Sequence, residues 1–513
     1  MKITESAVSE TSGVAARPQH AKRWLVVLTL LIVGLPAAWN ISSWPTRLRY
    51  PGEIALVEGM RLAEMQHLRQ GIAVYAPATP ERFDAMIYGP LYYLLGAQLI
   101  DPARPAYFPL RVLCLIATLG CATGAALLAF WLSRSYFAAT LAPLLFLSYG
   151  FVSLHGLSAR SDMMGVLLAY SGFLVAYRFR DSGRLMFATP LLLASFFYKQ
   201  QFVAAPAAIL LFLALERRYR LATQFAGLLT LGGLGLLASF QYVVFAGQNF
   251  FLHFLTYNLV PFTWNRFGYG ALLCAVIFGV PLLLGLEFLR RHPDRLVLCY
   301  LGCIVPFTLF SLGKEGSGTN YFLELTLILS PLVAGLIAES TAARMQAAEV
   351  LCLVGVSLLA GTRLGSLAPQ QEDFTRDRAV QEYLRQNFAP GLLATSMFTG
   401  DLVRAGLETP VSDFYQYTWL VCNGEVPAHA LLGRFEKRRF GVILLGVDLY
   451  DEKDAHRSNE FCMTESLHQT ILRDYQLAAT LEMPRPEQVD HPTRMFVWVP
   501  QGKSEVAPPP ATQ

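Results

Sequence analysis

The sequence predicts an all-α polytopic membrane bundle, about 11 transmembrane helices, followed by a small C-terminal α/β soluble domain. Three observations predict it. Of 513 residues, 54% are hydrophobic and only 15% are charged, whereas a soluble globular chain carries about 25% charged residues. Residues 24–365 read as apolar runs cut by short polar loops, and residues 370–500 have ordinary soluble composition. The net charge of +4 is small and its basic residues concentrate in those short loops, so a nucleic-acid partner is not indicated.

The first apolar run, Trp24–Trp44, follows Arg17, Lys22 and Arg23. It is about as long as a bilayer span, and no small-residue cleavage site follows it, so it reads as a retained first helix after a cytoplasmic tail, 1–23. Further spans are expected near 108–132, 137–154, 163–179, 186–198, 201–216, 221–245, 270–288, 296–312, 321–338 and 348–362. The stretch 186–216 admits either one tilted helix or two short ones with Lys199 between them. Charge decides. With two helices, Arg134, the Arg178–Arg184 cluster, Arg217, Arg218, Arg220, Arg290–Arg295 and Arg344 all lie on the side of the N-terminus. With one helix, the basic loops after 216 change sides. Short basic loops stay cytoplasmic, which favours two helices, an odd number of spans, and an outer location for both loop 45–107 and the C-terminal domain.

Segment Tyr88–Ile100 is apolar but short, and Asp101, Pro102 and Pro105 follow it. It reads as an amphipathic helix lying on the outer face or packed on the bundle. The membrane part ends near 365. In the outer domain, 366–501, Asp377–Phe388 is periodic as a helix is, Gly391–Ser396 and Phe440–Val447 read as strands, and Met495–Pro500 as a final strand. Residues 1–20 and the proline-rich tail 502–513 have the composition of disordered segments. Six cysteines (114, 121, 274, 299, 303, 352) lie in apolar runs, where cysteine acts as a small hydrophobe. Cys422 and Cys462 lie in the outer domain and are expected to pair in an oxidising compartment. No CxxC, Walker A, HExxH or GxSxG occurs, so zinc, P-loop and triad chemistry have no support.

Polar residues that survive in so apolar a chain are the candidate site, and several map to the outer helix ends. Glu53, in Tyr50-Pro51-Gly52-Glu53, lies just beyond the first span, where a carboxylate can deprotonate an acceptor hydroxyl within hydrogen-bond reach. The plain alternative is a loop acid favoured by a helix dipole. Asp162, in Ser158-Ala159-Arg160-Ser161-Asp162, opens a helix and is also an ordinary cap; Arg160 beside it is an ion-pair partner or a phosphate contact. Lys199, Gln200 and Gln201 interrupt about thirty apolar residues, at a cost of roughly 3 kcal/mol for lysine at a helix centre and less near the surface. Snorkelling explains a lone lysine, but the two glutamines make a polar cluster, and a cation there suits an anionic lipid-phosphate donor. The glycine-rich turn Gly313–Gly318 leads into Asn320, Tyr321 and Glu324. Its amides at a helix start can hold an anion, or the turn is simply a flexible loop with a capping asparagine. The His253–Arg266 loop offers Asn258, Trp264, Asn265 and Arg266 for sugar binding, though tryptophan is expected at any membrane interface.

Taken together, the first span, the acidic first outer loop, Gly89-Pro90-Leu91-Tyr92-Tyr93, the Arg160-Ser161-Asp162 turn and the Lys199 region resemble the GT-C class of membrane glycosyltransferases, in particular the bacterial protein-mannosyltransferase and aminoarabinose-transferase-like group. The resemblance covers about 320 residues. It implies a protein of the bacterial inner membrane that moves a sugar from a polyprenyl-phosphate carrier to a lipid, glycan or protein acceptor on the outer face, usually with inversion. It also implies that Glu53 stands for the acidic pair of the first loop, one member of which usually serves as base, with Asp162 as the other candidate. Here Gly52 replaces the usual first aspartate, and Gly89-Pro90-Leu91 the usual Pro-Pro-Leu. Lys199 and Arg160 supply positive charge for the phosphate leaving group; Gln200, Arg266, Asn320, Tyr321 and Glu324 are expected donor contacts. No cofactor is required. A divalent metal ion is compatible with such chemistry, but no ligand cluster demands one. Two other readings stay open: a transporter or flippase of lipid-linked saccharide, whose groups should cluster at the midplane in repeats, and a non-catalytic envelope-assembly protein acting through its outer domain.

Overall fold

In lipid every backbone N–H and C=O must find a partner within its own segment, so long apolar runs become helices. The computed structural model describes residues 24, 27–55, 57–79, 82–340, 354–355, 368–451, 465–483 and 494–502. Among these, six helices are long and apolar enough to cross a membrane: Val27–Arg49, Phe108–Ser133, Tyr219–Val244, Trp264–Arg291, Arg295–Leu312 and Thr319–Glu339. The protein is therefore a multi-pass membrane protein.

The expected count of about 11 spans is not reached by helices of that length. The span expected at 137–154 is two helices, Tyr136–Ser148 and Gly150–Leu157, bent by 78°; extended backbone at Tyr149 makes the break. Those expected at 163–179, 186–198 and 201–216 are the shorter helices Asp162–Arg178, Ala188–Tyr198 and Ala204–Leu215. The span expected at 348–362 lies outside the described residues apart from Val354 and Gly355, as do the tail 1–23 and all but the first residue of the tail 502–513. Cys462 lies outside them too, and with it the expected pairing to Cys422.

The two ends of the bundle differ in chemistry. Arg180 pairs with Asp294 at 2.5 Å, Arg218 donates to the Arg180 carbonyl, and Arg295 meets Glu216 at 2.6 Å. The basic loops after residues 178, 216 and 290 thus gather at one end. Helix Ala188–Tyr198 runs away from that end and Ala204–Leu215 returns to it, so the Lys199 turn lies at the opposite end. Asp162 opens, and Arg178 closes, a helix that runs between the same two ends. Thr319–Glu339 is the most enclosed helix and Tyr219–Val244 the most peripheral. Polar bonds lock the first span in place, where Asn40 Nδ2 donates to the Leu147 and Ser148 carbonyls at 2.9 and 3.0 Å. Such bonds, rather than hydrophobicity, distinguish one helix contact from another in lipid.

Beyond the bundle, loop 45–107 forms helix Glu58–Arg69 and the short apolar helix Pro90–Leu99, which buries Pro90, Tyr92, Tyr93, Gly96 and Ala97. The C-terminal region builds a four-stranded sheet of β1 (Ala394–Ser396), β2 (Val442–Leu445), β3 (Tyr475–Glu482) and β4 (Arg494–Pro500), in the order β1-β2-β4-β3. β1 runs parallel to β2 with Ala394 opposite Val442, and β4 is antiparallel to both of its neighbours. All four residues of β2 are buried, as expected of a strand covered on both faces. One face packs on Val380, Leu384 and Leu402. The other packs on Phe414, Tyr417 and Ile471 together with Phe83 and Ala85 from the outer loop. The loop is stitched on by backbone, since Phe83 N–H donates to the Pro410 carbonyl at 2.8 Å and Ser412 N–H to the Phe83 carbonyl at 2.9 Å.

Candidate functional site

The end of the bundle opposite the basic loops carries a buried polar cluster centred on Asp162. Its Oδ1 accepts from the Lys199 ammonium and from Asn320 Nδ2 at 2.8 Å, and its Oδ2 from Arg160 Nε at 3.1 Å. Three segments of the chain therefore converge on one carboxylate. The Lys199 ammonium also lies 5.0 Å from the Tyr88 ring centroid and 5.7 Å from that of Tyr321. Two cations face one carboxylate, which leaves the cluster one positive charge to offer.

Local sequence explains why these groups meet. Lys199 ends one short helix and Gln201 precedes the next, so an extended turn presents the polar residues at the bundle end. The Ser158–Asp162 turn is clamped from three sides. Glu58 accepts from the Ala159 N–H, Tyr92 OH donates to the Ala159 carbonyl at 2.8 Å, and Cys114 Sγ donates to the Arg160 carbonyl at 3.4 Å. Glu58 is in turn fixed by Arg111, whose Nη2 lies 2.7 Å from Oε2, and by the Ile54 N–H at 2.7 Å. Gly89 makes room for the Tyr88 segment: a Cβ there would fall 2.0 Å from the Phe197 carbonyl oxygen. Gln200 holds the same segment from beneath, its Nε2 donating to the Ile87 carbonyl at 3.0 Å and the Phe254 carbonyl at 3.2 Å.

Hydrogen-bonding capacity remains unused around the cluster. Ser158 Oγ, Ser161 Oγ, His155 Nδ1 and Gln201 Oε1 are buried without a partner among the described residues. An unsatisfied buried polar atom costs about 1–3 kcal/mol, a cost that water or a polar ligand relieves. His155 uses its other nitrogen on Thr319 Oγ1 at 2.9 Å.

Arg160, Asp162, Lys199, Asn320 and Tyr321 thus come together, with Gln200 alongside as a support for Tyr88. Three expected site residues make their contacts elsewhere. Glu324 lies inside the bundle, accepting from Tyr300 OH at 2.6 Å. The helix turn it shares with Asn320 rotates it toward the neighbouring helix Arg295–Leu312. Arg266 is exposed in the first turn of helix Trp264–Arg291. Glu53 lies against the C-terminal region, where a Cβ on Gly59 or Gly400 would fall 2.0 or 2.5 Å from its Oε1. Burial, and then the charges of Asp401 and Glu58, hold the Glu53 carboxyl well above its ordinary range, against a hydrogen bond from the Gly59 backbone. The Gly313–Gly318 turn zips onto residues 261–263, with Glu315 N–H donating to the Pro261 carbonyl at 3.0 Å and Thr263 N–H to that of Gly313 at 2.9 Å.

Sequence reading missed Glu58, Arg61, Tyr88 and His155 as members of this neighbourhood. A signal existed in the spacing of Glu58, Arg61, Glu64 and His67, each three residues from the next, so that each is a helical neighbour of the one before it. Among the described residues no group of three or more His, Cys, Asp or Glu side chains is arranged to hold a metal ion. Asp162 already accepts from cationic and amide donors, a setting that does not suit a metal ligand, and no chemistry is assigned to a metal.

No protein-family model matches the chain, and no curated protein matches it by sequence. Solved structures do. ArnT from Cupriavidus metallidurans in the apo state aligns with TM-score 0.58 over 94% of this chain and 98% of its own, at 11% identity. ArnT bound to undecaprenyl phosphate aligns with TM-score 0.55 at 12% identity, over 93% of this chain and 98% of its own. The apo oligosaccharyltransferase of Archaeoglobus fulgidus aligns with TM-score 0.53 at 12% identity, over 94% and 76%. Likeness at such identity speaks for architecture, and it extends over nearly the whole chain: the protein has the fold of the GT-C membrane glycosyltransferases.

Proposed function

We propose that the protein is an inverting glycosyltransferase that moves a sugar from a polyprenyl-phosphate carrier to an acceptor at the outer face of a bacterial inner membrane. The observation that carries this reading is the pair of cations, Arg160 and Lys199, held by one carboxylate at the bundle end of a GT-C fold. A phosphate leaving group develops charge as the glycosidic bond breaks, and cations fixed in advance stabilise it without reorganising. Lys199 and Arg160 take that role, and Asp162 holds them in place. Undecaprenyl phosphate bound to ArnT, a protein of the same fold, supports a lipid phosphate as the ligand.

The acceptor hydroxyl needs a carboxylate with appetite for its proton. Asp162, shared by two cations and an amide, is a weak base. Glu53, whose carboxyl burial holds well above its ordinary range, is the stronger base once ionised, and in this role it loses its proton to water and leaves its contacts with Gly59 and Gly400 when the acceptor binds. Asn320 and Tyr321 complete the donor contacts, and Gln200 supports the Tyr88 segment beside them.

The test is reconstitution of the purified protein with polyprenyl-phosphate sugars, scored by polyprenyl phosphate released and by product mass. Lys199→Met should abolish release, and Glu53→Gln should lower it at least hundredfold, the usual scale for losing a general base. Full turnover by Glu53→Gln would remove the proposed base. Passage of the lipid-linked sugar across liposomes without covalent transfer would overturn the reading as a whole.

A further inference from the structure

Tyr88 bridges two cations. The Lys199 ammonium lies 5.0 Å from its ring centroid and the Arg61 guanidinium 4.9 Å. Arg61 is itself buried and held fast: Nη1 donates to Glu64 at 2.7 Å, to the Ala85 carbonyl at 2.8 Å and to Tyr93 OH at 3.0 Å. Its Nη2 donates to Asp413 Oδ2 at 3.0 Å. Asp413 belongs to the C-terminal region, where it caps helix Phe414–Cys422 by accepting the Gln416 N–H at 2.9 Å. A continuous set of contacts therefore runs from a helix cap beyond the membrane, through Arg61 and the Tyr88 ring, to Lys199 and Asp162.

We infer that Tyr88 is a positioning residue for the Lys199 ammonium, and that through Arg61 and Asp413 the C-terminal region sets the geometry of the anion site. Lysine carries its charge on a flexible four-carbon stem. Asp162 fixes one side of that charge; the π-face of Tyr88 attracts it from another, as aromatic faces attract cations within about 6 Å. The ring can do so only where it is held, and Arg61 is one of the groups that hold it. Gln200 and Tyr93 hold the backbone at Ile87 and Tyr88, while the ring meets the two cations and, edge to face, the Tyr92 ring at 6.2 Å between centroids. The inference that this geometry serves a lipid phosphate rests on the function proposed above; the link from Asp413 to Lys199 does not.

The experiment uses the full-length protein in detergent and two readouts. One is the rate at which a small acylating reagent modifies Lys199, followed by mass spectrometry. The other is the affinity for undecaprenyl phosphate. Tyr88→Leu and Asp413→Asn should each speed acylation of Lys199 and weaken undecaprenyl phosphate binding by roughly fivefold to tenfold, the scale of a lost desolvated cation–π contact. Tyr88→Phe, which keeps the ring, should keep Lys199 as protected as in the parent protein, an outcome that a general packing role of the hydroxyl would not give. Arg61→Met serves as the remote variant if Asp413→Asn does not fold. Unchanged Lys199 reactivity in both Tyr88→Leu and the remote variant would overturn the inference. A parent protein that ignores undecaprenyl phosphate, while Lys199 reactivity still responds to the substitutions, would sink the donor reading and leave the link standing.

Discussion

Asp162 accepts from three donors, and the burial of Lys199 and Asn320, with Arg160 partly buried beside them, makes its removal asymmetric. Deleting one member of a buried ion pair leaves the other charge uncompensated, at about 3–5 kcal/mol. Asp162→Asn should therefore destabilise the bundle strongly, because Lys199 and Arg160 then face one another with no anion between them. Lys199→Met removes the excess charge instead. It leaves Asp162 paired with Arg160 and Asn320, so thermal unfolding in detergent should shift much less than for Asp162→Asn, while affinity for undecaprenyl phosphate falls at least tenfold. Equal loss of stability in the two variants would show that Lys199 is a structural ion-pair member only. The sequence displayed both residues plainly, since a lysine and an aspartate in apolar surroundings are hard to hide. It did not display their mutual distance, and it placed Glu324 beside them on helix-end position and Glu53 on that and on the family resemblance. Position along a helix does not fix azimuth: Glu324 lies one turn from Asn320 and still points to Tyr300.

Elements show the same division between what periodicity carries and what packing decides. The two short helices around Lys199 were legible because the basic loops demanded an even crossing, and Glu216 does return to Arg295 at the basic end. The bend at Tyr149 was not legible, because composition reports the apolarity of 137–154 and says nothing of its direction. β3, Tyr475–Glu482, was also missed. Its Leu-Ala-Ala core has little strand propensity and becomes a strand through pairing with β4. Helix Glu58–Arg69 buries Glu58, Arg61, Glu64 and His67, and Arg61 pairs with Asp413 of the C-terminal region. One close approach gives a direct test at this scale. Gly89 faces backbone, not a movable side chain: a Cβ would fall 2.0 Å from the Phe197 carbonyl oxygen. Gly89→Ala should cost about 1–3 kcal/mol, the range for forced overpacking. Because the segment must back away, it should lift Tyr88 from Lys199 and weaken undecaprenyl phosphate binding more than Tyr88→Leu does. A variant with native stability and affinity would mean that the segment is free to move.

At the scale of the molecule, the chemistry of the two ends sets an expectation for orientation. Cysteine introduced at Arg220 should react only with reagents reaching the cytoplasm, and cysteine at exposed Lys437 only with reagents applied outside; the reverse pattern would invert the topology. Loop 45–107 and the C-terminal region meet through two buried carboxylate groups. One comprises Glu53, Asp401, Asp377 and Glu58 with Arg404, Arg111, Tyr50 and Tyr107 around them; the other comprises Glu64, Asp413 and Asp84 with Arg61, Arg82 and His67. Carboxylates outnumber the arginines that reach them, so some must keep their protons. Burial above all, with Asp377 nearby and Arg404 opposing, pushes Asp401 up to about 6; burial, opposed by Arg61 and reinforced by Asp413 and Asp84, pushes Glu64 up to about 8. Each acid binds its proton more tightly in the folded protein than in the unfolded chain. The stability this contributes is complete below their unfolded values near 4 and declines as pH rises, first through about 6 and then through about 8. The contact between loop and C-terminal region should therefore loosen in mildly alkaline solution, and limited proteolysis of the outer part should quicken between pH 5 and about 8.5 relative to an unstructured control peptide. Glu64→Gln and Asp401→Asn, which keep shape and remove the titration, should each flatten part of that rise. A proteolysis rate that follows the control at every pH would mean that these carboxyls titrate as they do in water, and that the seam is held by the apolar contacts of Phe83 and Ala85 and the backbone hydrogen bonds of Phe83.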